Sequence, residues 1–528
     1  MAQSRSINST RNAVTSVSGR ILSLVVNFVS RTFFIKFLGE ACLGLNGLFT
    51  TILSLLSLAE LGIGEAIAFY LYKPIAEGDT ERLSKLVHFY KICYRIIGTA
   101  VMVIGLALMP ALPFLINLES DPGYNIYLLF LLYLLNTSIT YFLFSYPQTV
   151  LVANQRQYSI NVFAIIFQLV IFAADFITLY FTKNYIVYLS ARLSLTCLQN
   201  FVIYLFCRKN YPYIAIKPKE KLKGEEIKGM FKDVYGVFVL KLSSKLIDST
   251  DNLFISFFLG TILVGYNSNY LMIVTAAISL VNAIIFAFCA SVGDYNVTHS
   301  KEEVYKLFDT LDYLNFIISF SFAIFIFSFS NHFVTILWGE KFAHFGFASD
   351  SEFYNIAPIV IVAFMSFNFY LVGSIYTVFA FRQALGIFRK SMYFQLFAAL
   401  LNIALDFALI RVLGILGLYI ATVTSNLLFG VFPFAKSLYD KESNNLFVKY
   451  FFKTLTRYVY LLAIGTATYF ACSWVDINIL GFVFRVLITV GIVSAAVLLT
   501  GTFDKNFKLL LVRIKTMLKR NNTVQTVS

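Results

Sequence analysis

This sequence predicts an all-α integral membrane protein with about 14 transmembrane helices, and three observations lead there. The 528-residue chain is 59% hydrophobic and 17% aromatic, with only 13% charged residues, about half the charged share of an ordinary soluble domain. Its mean hydropathy is +0.76. Apolar runs of twenty or more residues recur along it, each long enough to cross a hydrocarbon core. Lysine and arginine gather between alternate runs, as they do on the cytoplasmic side of membrane proteins. The short alternating segments of a β-barrel are not found.

Breaks at polar, Gly or Pro clusters set the spans at 14–37, 44–72, 87–116, 124–152, 158–182, 185–207, 234–259, 264–292, 307–337, 354–381, 388–411, 413–438, 450–472 and 479–501. The opening "MAQSRSINSTRNAVTSVSG" is polar and no short apolar core with a small-residue cleavage site follows, so the first span is expected to stay in the membrane. With the N-terminus in the cytoplasm, 30 of the 42 basic residues fall at cytoplasmic ends and loops, and only Lys183, Lys341 and Arg411 fall outside. That asymmetry over an even number of spans puts both termini inside. It also accounts for the formal charge of +14, whose partner is then anionic membrane lipid rather than nucleic acid. Arg457 and Arg485, in the last two spans, read as snorkelling or anchoring residues. The six cysteines and four histidines are scattered without metal-ligand spacing, and no metal or cofactor is expected. Two basic stretches, 217–234 and 506–520, show loose apolar periodicity and read as helices lying on the inner membrane surface.

The chain also repeats itself. "FLGEACLGLN" (37–46) and "FLGTILVGYN" (258–267) share F-L-G-x4-G-x-N at an offset of 221. The offset aligns Arg20 with Lys241, Asn27 with Asp248 and Arg31 with Asn252, and at 222 it aligns Glu81 with Glu303. Asp175 and Asp406, each in a "D-F" within an apolar run, correspond at 231. Spans 1–6 and 7–12 therefore read as two copies of a six-helix unit. Six being even, the copies are parallel repeats related by an axis along the membrane normal. The expected organisation is an N-terminal lobe (1–208), a basic cytoplasmic linker (209–232), a C-terminal lobe (233–440), and an addition of two helices with a basic amphipathic tail (441–528). Two pseudo-symmetric lobes are the form of an alternating-access transporter.

Charged residues inside the spans supply the candidate site, because intramembrane charges face a bundle interior or a watery cavity. Arg20, Asn27 and Arg31 follow spacings of seven and four on one stripe of the first span, and Lys241, Lys245, Asp248, Asp251 and Asn252 form the corresponding stripe of the seventh. Arg20, Arg31, Lys241, Lys245, Asn27 and Asn252 are the substrate-binding candidates, as a cationic cavity suited to a pyrophosphate. Lys241 or Lys245 pairing with Asp248 one turn away is the structural alternative. Glu60, Glu65, Asp248, Asp251, Asp175 and Asp406 are the candidates for ion coupling. Glu60 and Glu65 flank Gly62 and Gly64, where the helix can bend. Five residues apart, they lie about 140° around the helix. One can face the cavity while the other is held by a basic partner, and structural pairing of both is the alternative.

The stretches "LGLNGLFTTILSLLSLAELGIGEAIAFYLYKPIAEGD" (43–79), "STDNLFISFFLG" (249–260) and "FRQALGIFRKSMYFQL" (381–396) resemble the Wzx-type oligosaccharide flippases of bacterial surface-polysaccharide clusters. These belong to the multidrug/oligosaccharidyl-lipid/polysaccharide exporter superfamily, and the resemblance covers essentially the whole chain. Glu65 departs from the motif, where a small residue is expected. The resemblance implies a flippase of the bacterial cytoplasmic membrane. It would move undecaprenyl-diphosphate-linked oligosaccharide units from inner to outer leaflet, driven by a proton or sodium gradient, with the polymerase of the same pathway as a further partner. The alternative is a MATE-like exporter of small molecules, although its cavity should be acidic or apolar. A membrane polymerase or glycosyltransferase should carry a large outer loop, and the longest here, 338–353, is short.

Overall fold

The computed structural model describes residues 2–57, 70–75, 77–117, 122–142, 146–154, 156–216, 218, 222, 224–286, 292, 300–339, 358–385, 389–439, 444–504 and 506–507. Glu60, Gly62, Gly64 and Glu65 lie outside them, as do loop 340–353, the side chain of Asp248 and nearly all of the tail 506–520.

The described helices follow the predicted spans in order. In the N-terminal half they are α1 (Ala2–Leu56), α2 (Thr80–Leu108, continued by short turns to Leu115), α3 (Ile126–Phe142), α4 (Tyr146–Ala153), α5 (Gln157–Thr182), α6 (Tyr185–Asn210), α7 (Gly224–Leu259) and α8 (Thr261–Phe286). Beyond them come α9 (Lys301–Trp338), α10 (Pro358–Ser374), α11 (Tyr376–Leu385), α12 (Arg389–Leu413) and α13 (Ile415–Ser425), then a π-helical turn (Asn426–Val431) leading into α14 (Phe432–Lys436), α15 (Asn444–Cys472) and α16 (Ile479–Phe503). Among the described residues ten helices are long and apolar enough to cross a membrane. Helices satisfy their own backbone hydrogen bonds, as a spanning segment in lipid requires. One expectation changes. The basic stretch expected as a separate surface helix at 217–234 is, from Gly224 on, the first turns of the 36-residue α7.

Gly39 divides α1. Its φ of 79° is left-handed, a conformation glycine adopts without steric penalty. Arg31 donates to the carbonyl of Gly265, and a Cβ built on Gly265 would stand 2.9 Å from the Gly44 nitrogen. Along an unbroken helix residues 31 and 44 would be about 20 Å apart, too far for one arginine side chain to bring together. The chain therefore turns back at Gly39, and α1 holds spans 1 and 2. Gly260, its repeat partner, has φ 112° and makes the turn between α7 and α8. Asn117 clamps that second turn, its carbonyl accepting from the Thr261 nitrogen at 2.8 Å and its own nitrogen donating to Thr261 Oγ1 at 3.0 Å.

Other equivalences of the repeat reappear as geometry. Asp175 stands eight residues before Lys183 and Asp406 eight before Gly414, and both later residues have positive φ at hairpin turns (49° and 57°). Glu81 and Glu303 both lie in the first turn of a helix, where carboxylates oppose the positive end of the helix dipole.

Two compact units result, Met1–Ser268 and Asn269–Ser528, and the division falls within α8. In the first, the opening segment of α1 runs parallel to α5: Ser23 bonds Gln168 at 2.6 Å, and Phe33 and Phe37 stack edge-on with Phe176 and Tyr180. In the second, α9 is the central helix. Asn315 donates to the Gly373 carbonyl at 2.8 Å and Ser366 to the Ala323 carbonyl at 2.6 Å, close approaches of the small-residue kind that pack helices in lipid. The added helix α16 rests on α9 through Tyr313–Thr500 and Ser328–Thr489, both at 2.9 Å, and α15 through Arg457–Asp312 at 2.7 Å.

Candidate functional site

The polar interior of the first unit starts at the crossing of the two repeated motifs. A Cβ on Gly44 would fall 2.2 Å from the Thr261 carbonyl oxygen, so only glycine admits this approach. Around the crossing, each copy's first helix reaches the other copy's second helix. Arg31, from span 1, donates to Gly265 O at 3.3 Å and to Ser268 Oγ. Asn252, its repeat partner in span 7, donates to Thr51 Oγ1 at 3.0 Å and accepts from Asn267 at 2.9 Å. Ser249 and Ser54 meet at 3.2 Å along the same seam. Asn252 is buried here, holding two helices together at the end of its stripe.

The rest of the candidate stripes lie along the same helices. Arg20 is half-buried and Asn27 exposed on α1, while Lys241, Lys245 and Asp251 are half-buried on α7. The contacts between α1 and α7 come from the span-2 half of α1, where Thr51 and Ser54 meet Asn252 and Ser249, and the span-1 stripe reaches α8 through Arg31. Three half-buried cationic side chains, Arg31 on span 1 and Lys241 and Lys245 on α7, belong to the first unit. Such an arrangement can neutralise an anionic group drawn out of water.

Two further candidate carboxylates, Asp175 and Asp406, sit elsewhere, one in each unit. Asp175 on α5 is 3% exposed and takes a forked contact from Arg192 of α6, with Nε–Oδ1 2.9 Å and Nη2–Oδ2 2.6 Å. Arg192 also lies 4.6 Å over the ring of Tyr188. Two parallel hydrogen bonds plus a ring contact are the geometry that lets an ion pair survive desolvation. Next to it Tyr133 joins Tyr185 at 2.9 Å and donates to Asn46 of the repeated motif. In the second unit Asp406 is fully buried. Asn402 donates to its Oδ1 at 3.3 Å and to Thr422 Oγ1 at 3.2 Å. Asn402 also keeps a buried oxygen with no hydrogen-bond partner. The oxygens of Asp406, Asn402 and Thr422 are hard donors, suited to a proton or a small cation.

Several of these residues escaped the sequence reading. Arg192 had a signal, as the one basic residue in span 185–207, with Asp175 in the span before it. Tyr133 and Tyr185 had none among 32 tyrosines. Arg457 differs from expectation: instead of snorkelling, it pairs with the buried Asp312 at 2.7 Å. Arg485 donates to the carbonyls of Cys472 and Ser328, tying the end of α15 to α9.

Solved structures place this arrangement among known folds. The lipid II flippase MurJ in an inward closed conformation superposes with a TM-score of 0.64 at 14% identity, over 93% of this chain and 98% of its own. A multidrug resistance MATE family transporter of the MOP superfamily, in its inward-facing conformation, gives 0.61 at 16%, over 80% and 97%. A MOP superfamily transporter from Pyrococcus furiosus gives 0.56 at 15%, over 81% and 94%. The fold is that of the MOP transporters. No family model and no curated protein matches the chain by sequence. Within the MOP fold the extents of overlap differ. Residues 441–528 are about a sixth of the chain, so an overlap of 93% must include part of the added helices. The MATE overlap leaves a share larger than that addition unmatched.

Proposed function

We propose that this chain is a flippase carrying an undecaprenyl-diphosphate-linked oligosaccharide from the inner to the outer leaflet of a bacterial cytoplasmic membrane. The observation that carries the reading is the trio of half-buried cations Arg31, Lys241 and Lys245 within the first unit. Arginine and lysine bind phosphate oxygens by charge-assisted hydrogen bonds, and a lipid diphosphate offers such oxygens. Arg20 and Asn27 extend the proposed binding surface, and Asn252, buried between helices, supports it from behind. A lipid II flippase that overlaps part of the added helices supports a lipid-linked cargo. A MATE-like exporter remains the second reading, because MATE transporters share the fold at a similar TM-score.

In this reading lobes 1–208 and 233–440 alternate access to the cargo, with both termini in the cytoplasm. Coupling to a proton or sodium gradient falls to Glu60, with Glu65, Asp248, Asp251, Asp175 and Asp406 as the other carboxylates. Protonation of a buried carboxylate relieves its desolvation, and linkage lets that event bias the lobes in return.

One reconstitution tests both parts. Arg31→Gln and Lys241→Gln are expected to lower flipping of a fluorescent undecaprenyl-diphosphate oligosaccharide more than tenfold at normal protein levels, the order of one lost charge-assisted contact. Under an imposed pH gradient Glu60→Gln is expected to lose the acceleration seen in wild type. Wild-type flipping by both cation variants, or export of organic cations in place of the lipid, would sink the reading.

A further inference from the structure

The added helices enclose a second charged space. Near the start of α9 and the end of α16 lies a cavity of about 910 Å³, within the range of small-molecule sites. Asp309 comes from α9, Lys449, Lys453 and Arg457 from successive turns of α15, and Asp504 from the residue after α16. Four charges around it already compensate one another. Arg457 meets Asp312 at 2.7 Å, and Lys453 bridges Asp312 at 3.8 Å and Asp504 at 3.6 Å.

Asp309 and Lys449 are left over. Both line the cavity, and among the described residues neither forms an ion pair. One carboxylate and one ammonium therefore face a shared space without meeting. Arg457, also on the lining, keeps its Nη2 buried without a hydrogen-bond partner. That atom has no surface on the cavity, which leaves the ammonium donors of Lys449 and, apart from them, the carboxylate of Asp309. A simple anion would use the donors but would sit uncompensated near Asp309. A ligand bearing phosphate and ammonium together would satisfy both groups.

The remaining wall identifies the body of that ligand. Leu499 and Phe503 on α16 are 56% and 84% exposed, an apolar border open on the lipid-facing side of a spanning helix. Depth agrees as well. Asp309 is eight residues into α9 and Lys449 five into α15, roughly 12 Å and 8 Å from the helix starts. Both starts lie on the side rich in lysine and arginine, which is the cytoplasmic side by charge.

We propose that this cavity, between α9, α15 and α16, binds a glycerophospholipid of the cytoplasmic leaflet whose headgroup joins a phosphate to a primary ammonium. Lys449 holds the phosphate, Asp309 accepts from the ammonium, and Leu499 and Phe503 border the acyl chains. The lipid fastens α15 and α16 to α9. This assignment is independent of the cargo proposed above.

Delipidated full-length protein in detergent, titrated with dioleoyl phosphatidylethanolamine, phosphatidylglycerol or phosphatidylcholine, tests it through retained lipid in native mass spectrometry and through the shift in Tm. The ethanolamine lipid is expected to bind about fivefold tighter than the other two and to raise Tm in a saturable way. Asp309→Asn should erase its advantage over phosphatidylglycerol. Lys449→Gln should weaken both lipids, and Lys449→Arg should restore binding. Since Asp309 and Lys449 make no ion pair, the variants should keep the lipid-free Tm of wild type, which separates lost binding from lost folding. Equal binding of the three lipids, tighter binding of phosphatidylglycerol by wild type, or variants that bind like wild type would each overturn the proposal. So would competition by free phosphoethanolamine as potent as the lipid, because the apolar wall would then contribute nothing.

Discussion

Asp175 carries a charge that burial opposes, and Arg192 is what makes it tolerable. The guanidinium is 38% exposed while the carboxylate is 4%, so removing one partner is not equivalent to removing the other. Arg192→Gln strands a buried carboxylate and is expected to cost about 3 kcal/mol, the low end for a broken buried pair. Asp175→Asn leaves only a half-solvated cation and should cost less. The double variant should recover part of the loss, because residues in one contact are not additive. Thermal unfolding of the four proteins in detergent reads all three differences, and a double variant with the full sum of both losses would mean the contact carries no coupling. The carboxylate of this pair was legible beforehand, since an aspartate in an apolar run attracts notice. Its partner was not singled out, because a salt bridge between spans depends on which helical faces meet.

At the scale of elements, the repeated F-L-G-x4-G-x-N motif does two separate jobs. Its first glycine turns the chain, with φ 79° at Gly39 and 112° at Gly260. Its second glycine lets the two copies touch, Gly44 against Thr261 and Gly265 against Gly44. Substitutions should therefore differ sharply along a few residues. Gly44→Ala drives a Cβ to 2.2 Å from a backbone oxygen, whereas Gly47→Ala meets a Val264 methyl at 3.0 Å, which a small rotation relieves. Gly44→Ala is expected to cost about 2–3 kcal/mol, as overpacking does, and Gly47→Ala less than 1 kcal/mol. Tm values checked against expression level measure the contrast, and equal costs would mean the crossing is looser than the structure places it. The periodicity of the motif announced a duplication. That the two copies would pack on one another, with Arg31 and Asn252 each reaching across, followed from no spacing.

For the whole molecule, the uneven distribution of lysine and arginine makes a prediction that no helix makes alone. In a background with all six cysteines replaced, Lys183→Cys, at the exposed turn between α5 and α6, is expected to react with a membrane-impermeant thiol reagent added outside intact cells. Asn210→Cys, at the exposed end of α6, should react only after permeabilisation. The opposite pattern would reverse the assigned orientation. By itself the sequence determined the helical class, the order and approximate limits of the spans and the duplication. Each of these is written locally, in hydropathy over some twenty residues or in matched motifs. Only the tertiary structure decided which polar groups pair between helices: Asp175 with Arg192, Asp312 with Arg457, and Asn402 with Thr422. It alone assembled Asp309, Lys449 and Arg457 around one cavity. The physical reason is that a lipid-embedded helix must merely be apolar to be stable on its own, so composition reveals it. The partner of a buried charge is chosen by how helices distant in sequence turn their faces together, and packing decides that.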